Sequence, residues 1–468
     1  MKGILKSFSY AFFSNIISFG VSGLITLIVP KFITIESYGY FQVYIFYLTY
    51  IGIMSLGWID GIVLRYGGAY YEDLNKGLFN GQFRLFSGME FLIGLIMIAV
   101  SLYVFGMSND GYIYFFLGLT VVLSLPCSFF RYLLQAVNKI EQFSRNMVLD
   151  RGLYFCFTIM ALVINNKSLV LLLVADVLAR MIALVHMLWI CRDIVKTKVV
   201  ISRQTLNEGR ENISVGCKLL LANNVGFLIV GVIRYAIKEA WGIETFAKIS
   251  LAFSVSNLFM IFIRAMSIVV YPLLRRVDEN KMKELYTLIR TIMMLILFGI
   301  MILYYPLKVI LCAWLPGYKD GIEYMALLFP MCIFESKTSM LIETYLKALR
   351  KENYLLKINC YTVLISIMLA VFTSVILKNL TLSILAILVV LAFRNIMAEY
   401  IVGSYLRIEL FKSIFLESIM IIMFVLSSWY IGGVSGLILY ILIYIAYIFF
   451  EQKELRRAIK CICEMGVN

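Results

Sequence analysis

Residues 168–191 read SLVLLLVADVLARMIALVHMLWIC. Apart from Ser168, Asp176, Arg180 and His186 the stretch is apolar, and about twenty such residues suffice to cross a bilayer as a helix. Asp176 precedes Arg180 by four residues, a spacing that puts both on one helical face, where they can pair. Runs of this kind recur from one end of the chain to the other. They lie near 9–30, 41–59, 85–105, 112–130, 146–165, 168–191, 214–236, 247–273, 291–314, 322–346, 358–377, 380–405, 411–431 and 434–450. The pattern predicts an all-α polytopic membrane protein with about fourteen transmembrane helices. Three neighbouring pairs are separated only by Asn165-Asn166-Lys167, Lys378-Asn379 and Gly432-Gly433, which then act as hairpin turns.

The composition agrees. Hydrophobic residues make up 62% of the 468 and charged ones 15%, too few to cover a water-soluble surface. The net charge of +14 does not point to nucleic acid, because the basic residues gather in alternate loops as membrane topology requires. The nine cysteines fall mostly within apolar runs and read as small packing residues. Cys461 and Cys463 have no second pair or nearby histidine, and His186 is the single histidine, so neither a metal centre nor a histidine-based triad is expected. The first apolar run is too long for a signal-peptide core and is expected to remain as a helix.

Lysine and arginine set the orientation. The segments holding Lys2 and Lys6, Arg65 to Arg84, Arg131 to Arg145, Arg192 to Arg210, Arg275 to Arg290, Lys347 to Lys357, Arg407 and Lys412, and Lys453 to Lys460 are basic. The intervening loops hold few cations, so both termini are expected in the cytoplasm and the helix number is even. No loop is long enough for a folded domain.

The chain also resembles itself. Ile35-Glu36-Ser37-Tyr38-Gly39 matches Ile243-Glu244-Thr245-Phe246-Ala247, and Leu134 to Lys139 matches Leu346 to Lys351. Asn15 falls on Asn223 and Arg180 on Arg394 at a similar shift. A duplication of six helices, an even number, yields two parallel lobes around a central cavity. The expected division is 1–200 for the first lobe, 201–408 for the second, and 409–468 for helices 13 and 14 with a tail.

Charged groups at membrane depth are costly and normally face protein or water. Arg180 and Arg394 lie near mid-membrane by count, Arg264 lies in helix 8, and Glu335 and Lys337 lie in helix 10; Arg264, Arg180 and Arg394 are expected to supply the positive potential of the cavity. Glu399 stands near enough in sequence to Arg394 to neutralise it in part. Helix 8 carries Ser250, Ser254, Asn257, Arg264, Ser267 and Tyr271 along one stripe. That stripe is either interhelical hydrogen bonding or the wall of a wet cavity that offers positive charge to an anion. Asn15 and Asn223 occupy matching helices and either bond between helices or line the same cavity. Asp60 and Arg65 follow the glycines of Leu56-Gly57-Trp58-Ile59-Asp60-Gly61, which permit a bend. They are expected near the cytoplasmic mouth. Arg65 is equally an ordinary anchor.

Phe13-Ser14-Asn15, Glu36-Ser37-Tyr38-Gly39-Tyr40-Phe41-Gln42, and Leu56 to Gly61 followed by Arg65-Tyr66 resemble the polysaccharide-transport family of bacterial flippases. These carry O-antigen or capsule units and belong to the multidrug/oligosaccharidyl-lipid/polysaccharide exporter superfamily. The resemblance implies translocation of an undecaprenyl-pyrophosphate-linked oligosaccharide unit from the inner to the outer leaflet of the cytoplasmic membrane. It implies two six-helix lobes opening alternately, with no cofactor and no catalytic residue. Its implied partners are the lipid-linked oligosaccharide, membrane lipids, and the polymerase and glycosyltransferases of the same pathway. Relatives that flip the peptidoglycan precursor have fourteen helices, the last two forming a groove for the lipid, a role helices 13 and 14 fit. Cavity arginines of the family bind pyrophosphate and sugar acids; Arg264 and Arg65 are the counterparts here. The first-helix arginines of the peptidoglycan-precursor flippases are replaced by Ser14 and Asn15, which points away from that substrate.

Two other readings remain open. A cation-coupled drug exporter of the same superfamily would favour carboxylates at membrane depth, whereas arginine predominates in this inventory. A polymerase or ligase acting on lipid-linked sugars would need an acid/base constellation, and the short outer loops hold few carboxylates.

Overall fold

The computed structural model describes residues 2–165, 168–199, 202–258, 260, 279–349 and 351–465. All regular structure among them is helical. In chain order the main helices are α1 (Lys2–Phe32), α2 (Ile35–Leu48), α3 (Trp58–Tyr66), α4 (Lys76–Val100), α5 (Asn109–Ala136), α6 (Ile140–Ile164), α7 (Leu169–Ile190), the short α8 (Arg192–Val195) and α9 (Arg203–Leu258). They continue with α10 (Glu279–Met301), α11 (Tyr304–Trp314), α12 (Met325–Leu346), α13 (Glu352–Ala370), α14 (Leu380–Leu406), α15 (Phe411–Val425) and α16 (Gly433–Met465).

Among the described residues, eleven helices are long and apolar enough to span a membrane, or thirteen when two bent pairs each count as one span. The hairpin ends are built from short polar side chains. Thr34, Asn75, Ser108, Ser168 and Asn379 each accept a bond from a backbone N–H in the first turn of the following helix. Gly432 and Gly433 both take positive φ at the turn into α16, where a side chain would be strained.

Two places depart from a simple run of spans. The second apolar run does not end near residue 59. It breaks at Leu56 and Gly57, both left-handed, and continues as α3 at an angle of 61°. Backbone approach explains the glycines. A Cβ at Gly61 would lie 2.0 Å from the carbonyl oxygen of Asn212, and one at Gly216 would lie 1.9 Å from that of Gly57. Within α9 the chain reverses at Gly242 (φ 79°). Arg234 reaches the Ser250 hydroxyl at 3.1 Å, although sixteen residues of straight helix would span about 24 Å. The α9 stretch therefore contains two antiparallel arms. The rest of the eighth segment lies outside the described residues.

The chain divides into two compact units, Met1–Phe227 and Leu228–Asn468. In the first, α5 packs against α4 and α7, and α1 packs against α6. Its core is aromatic: Phe83 lies 4.5 Å from Phe130, and Phe86 lies 5.7 Å from both Phe129 and Trp58. Lipid offers no hydrophobic drive to pair helices, so close fit and hydrogen bonds hold them. In the second unit, α13 pairs with α14, and the last helices are tied in by hydroxyls. Tyr440 and Tyr444 donate to the carbonyls of Phe298 and Leu295 at 3.0 and 2.9 Å, and Tyr305 meets Ser427 at 2.8 Å.

Candidate substrate-binding site

In the first unit two clusters pair charged residues at membrane depth. The α7 spacing delivers its pair: Arg180 Nε donates to Asp176 Oδ2 at 2.7 Å, and Nη1 donates to Ser124 of α5 at 2.7 Å. Tyr44 of α2 donates to the same Asp176 oxygen at 2.6 Å and meets Thr120 at 2.9 Å. Cation and anion cancel, and three helices share the bonds. A second knot lies where α5, α6 and α7 meet. Arg131 donates to Asn146 at 2.6 Å and to Asp150 at 3.0 Å. Asn146 donates to the carbonyl of Ala183 at 2.8 Å and lies 3.1 Å from Nδ1 of His186.

Arg65 is bound where α3 meets the first arm of α9. It reaches Glu208 and Glu211 at 2.7 Å each and donates to the side chain of Asn212 at 2.7 Å. Tyr66 donates to Glu208, and Asn212 donates to Gln82. Asp60 sits half-buried on the same short helix. Asn15 is half-buried on α1. Asn223 is helical, but its side chain lies outside the description.

The second unit handles charge differently. Arg394 donates to Asn359 of α13 at 2.9 Å. Its carboxylate neighbours Glu335 and Glu343 stand at 3.6 and 3.8 Å, beyond a normal hydrogen bond, and are 29% and 28% exposed. Glu399 does not neutralise Arg394, contrary to the sequence expectation. Five residues separate them, which turns them about 140° apart around the helix. Glu399 instead binds Arg290 of α10 at 2.6 Å, together with Lys337 of α12. Glu417 of α15 binds the same two cations at 2.8 and 2.6 Å. Tyr286 adds a hydroxyl at 3.4 Å from Glu399. The two acids and two bases form a closed, neutral quartet, each side chain no more than 7% exposed. A buried quartet of this kind holds only because every charge has opposite partners.

Helix 8, the second arm of α9, presents two unlike faces. Ser256 and Met260 turn to α12, where Cys332 Sγ lies 2.7 Å from the carbonyl of Ser256 and Ser336 lies 3.2 Å from the sulfur of Met260. The stripe of Ser250, Ser254 and Asn257 points elsewhere. Ser250 is buried against Arg234, whereas Ser254 and Asn257 are half-buried. The Arg234 guanidinium also lies 4.3 Å from the Phe253 ring and 5.5 Å from Phe246, within reach of cation–π attraction. Arg264, Ser267 and Tyr271 lie outside the described residues.

The structure thus places the expected site residues in separate surroundings. Arg180, Arg394 and Arg65 are each bonded to their own acceptors, and Asn257 is half-buried. Sequence reasoning missed the quartet and a buried acid on α4, Glu90. By sequence alone Arg290 reads as one of the basic residues at a membrane face. Glu90 and Glu417 went unremarked, although a carboxylate alone in an apolar run is a signal in itself.

No protein-family model and no curated protein matches the chain. Solved structures do. A structure of the lipid II flippase MurJ in an inward closed conformation superposes with a TM-score of 0.68 at 13% identity, covering 96% of this chain and 99% of that one. An inward-facing multidrug resistance MATE family transporter of the MOP superfamily gives 0.63 at 12% identity, covering 85% and 95%. A MOP superfamily transporter from Pyrococcus furiosus, described as having a binding pocket of reversed polarity, gives 0.51 at 12% identity, covering 86% and 96%. At these identities the likeness is one of fold: the chain has the helical architecture of MOP superfamily transporters.

Proposed function

We propose that the chain is a flippase that carries an undecaprenyl-pyrophosphate-linked oligosaccharide unit from the inner to the outer leaflet of the bacterial cytoplasmic membrane by alternating access. Both termini are cytoplasmic in this reading, and no bond is made or broken. The observation that carries it is the reach of the fold match. The lipid II flippase structure covers 96% of the chain, against 85% and 86% for the two other transporters. The extra coverage is comparable in length to the final helical hairpin. A lipid-linked substrate gives such a hairpin a purpose, because the polyprenyl tail must stay in hydrocarbon while the headgroup passes.

The headgroup chemistry is assigned to helix 8. Ser254 and Asn257 offer hydroxyl and amide groups to sugar, and Arg264, on the same stripe, meets the pyrophosphate. A charge-assisted bond from a guanidinium to a phosphate oxygen contributes roughly 1.5–3 kcal/mol. Asn15 and Asn223 extend the polar lining, and Asp60 with Arg65 stands at the cytoplasmic mouth. Arg180 serves structure in this reading, since its guanidinium is already spent on Asp176 and Ser124. Arg394 is the looser of the two and stays a candidate contact.

The test is reconstitution in vesicles with a fluorescent polyprenyl-pyrophosphate oligosaccharide. Arg264→Ala should abolish leaflet exchange at unchanged protein abundance, and Asn257→Ala should slow it. Exchange unaffected by Arg264→Ala, together with sodium-driven drug efflux, would favour a cation-coupled exporter instead.

A further inference from the structure

The α4–α5 seam holds a group that no other part of the molecule accounts for. Glu90 is 0% exposed, and neither of its carboxyl oxygens has a hydrogen-bond partner among the described residues. The hydroxyl of Ser87, one turn earlier, is also buried without a partner. The register of the seam is given on either side. The Phe86 ring lies 5.7 Å from that of Phe129, and a Cβ at Gly94 would lie 2.7 Å from the Gly118 carbonyl oxygen and 2.5 Å from the Val122 side chain. Position 90 therefore faces the stretch from Val122 to Pro126. Pro126 lies inside α5 and has no N–H, so the Val122 carbonyl is left without its usual helix bond.

Charges are held away from this spot. On α5, Cys127 faces Asn146, Arg131 is bound to Asn146 and Asp150, Tyr132 is exposed, and Asp110, Tyr112 and Tyr114 lie at the far end. On α3, Arg65 and Tyr66 are bound to α9, and Asp60 is on the same short helix. On α9, Glu208 and Glu211 are held by Arg65. On α8, Asp193 is held by Lys76 and Tyr71, next to Arg192. The turn Ile51–Ser55 carries no titratable group.

We propose that Glu90 is a reversible proton-binding site, loaded in this conformation and emptied only when the seam between α4 and α5 admits water. A carboxylate with no counter-ion and no donor is strongly disfavoured in such a place, whereas a neutral carboxylic acid is tolerated. The carbonyl freed at Val122 is a natural acceptor for its O–H. The ligand is a proton and not a metal ion, because one carboxylate, one hydroxyl and one carbonyl supply too few oxygens to replace the hydration shell of a bare cation. On opening, the O–H bond breaks, the proton passes to water, and the carboxylate is hydrated in its place.

Infrared spectroscopy of the full chain in lipid nanodiscs tests this without any transport substrate. The wild-type protein should show, at neutral pH, the carbonyl stretch of a protonated carboxylic acid whose C=O accepts no hydrogen bond. That band should vanish in Glu90→Gln and titrate away in alkali. Hydrogen exchange of the peptides covering 86–97 and 118–129, corrected for intrinsic rate, should rise across the same pH range in wild type and stay flat in Glu90→Gln. An identical band in Glu90→Gln, or a band displaced by sodium at fixed pH, would overturn the proposal. Should Glu90→Gln fail to fold, Glu90→Asp must retain an acid band at a shifted frequency. Its absence there would overturn the proposal as well.

Discussion

Helices α7 and α14 carry Arg180 and Arg394, the two arginines that the sequence match aligns, and each carries one arginine and one acid at membrane depth. They neutralise them in opposite ways. In α7 the two are four residues apart and bind each other at 2.7 Å, with Tyr44 and Ser124 closing the remaining positions. In α14 they are five apart and face different sides. Glu399 goes to Arg290 and Lys337, and Arg394 goes to Asn359 and two distant glutamates. One residue of spacing thus turns a local pair into a network linking α10, α12, α14 and α15. The charge on a helix says less about its role than the angle at which it leaves.

If the network matters more than the pair, Glu399→Gln should be the most damaging change. It leaves Arg290 and Lys337 sharing Glu417 alone, a buried excess positive charge that costs about 3–5 kcal/mol. Thermal unfolding in detergent should show it, and Lys337→Met in the same chain should recover much of the loss. Asp176→Asn comes next, at about 2–3 kcal/mol by the same assay, because Ser124 still accepts from Arg180. A larger loss at Asp176 than at Glu399 would break the comparison. Arg394→Gln should cost only about 1 kcal/mol, since its acids are distant and half-exposed and Gln can keep a bond to Asn359.

The smallest effect belongs to a wet copy of the α7 arrangement. Asp193 accepts from Tyr71 and pairs with Lys76, both at 2.8 Å, as Asp176 does with Tyr44 and Arg180, but it is over a third exposed. Burial alone would raise the Asp193 carboxyl; its bonds to Lys76 and Tyr71 outweigh this and hold it below the usual carboxylate range. A lowered acid contributes stability above its unfolded value, near 3.9, and loses it as pH falls through the folded one. Asp193→Asn should cost about 0.5 kcal/mol at neutral pH, and the gap to wild type should close as unfolding is measured below pH ~4.

Most of the spans were legible because hydrocarbon imposes one length and one polarity on every crossing. Asp176 with Arg180 was legible because pairing within a helix obeys a fixed spacing. Glu399 was misread because its partners come from helices distant in sequence, and no periodicity encodes which one will lie alongside. The continuation of the second run into α3 depends on backbone contact at Gly57 and Gly61 with α9, which hydropathy does not register. Arg290 looked like a topological anchor because it stands at the start of its apolar run, and only packing draws it inward.

Glu417 gives the last helices a structural duty. A chain trimmed before α15 would strand a guanidinium and an ammonium over a single acid, in a medium with no ions to screen them. Shortening this architecture by a hairpin would therefore demand a compensating loss of Lys337 or Arg290 in the same step. The terminal hairpin is a counterweight to the bundle it follows, and discarding it unaided would unbalance what remains.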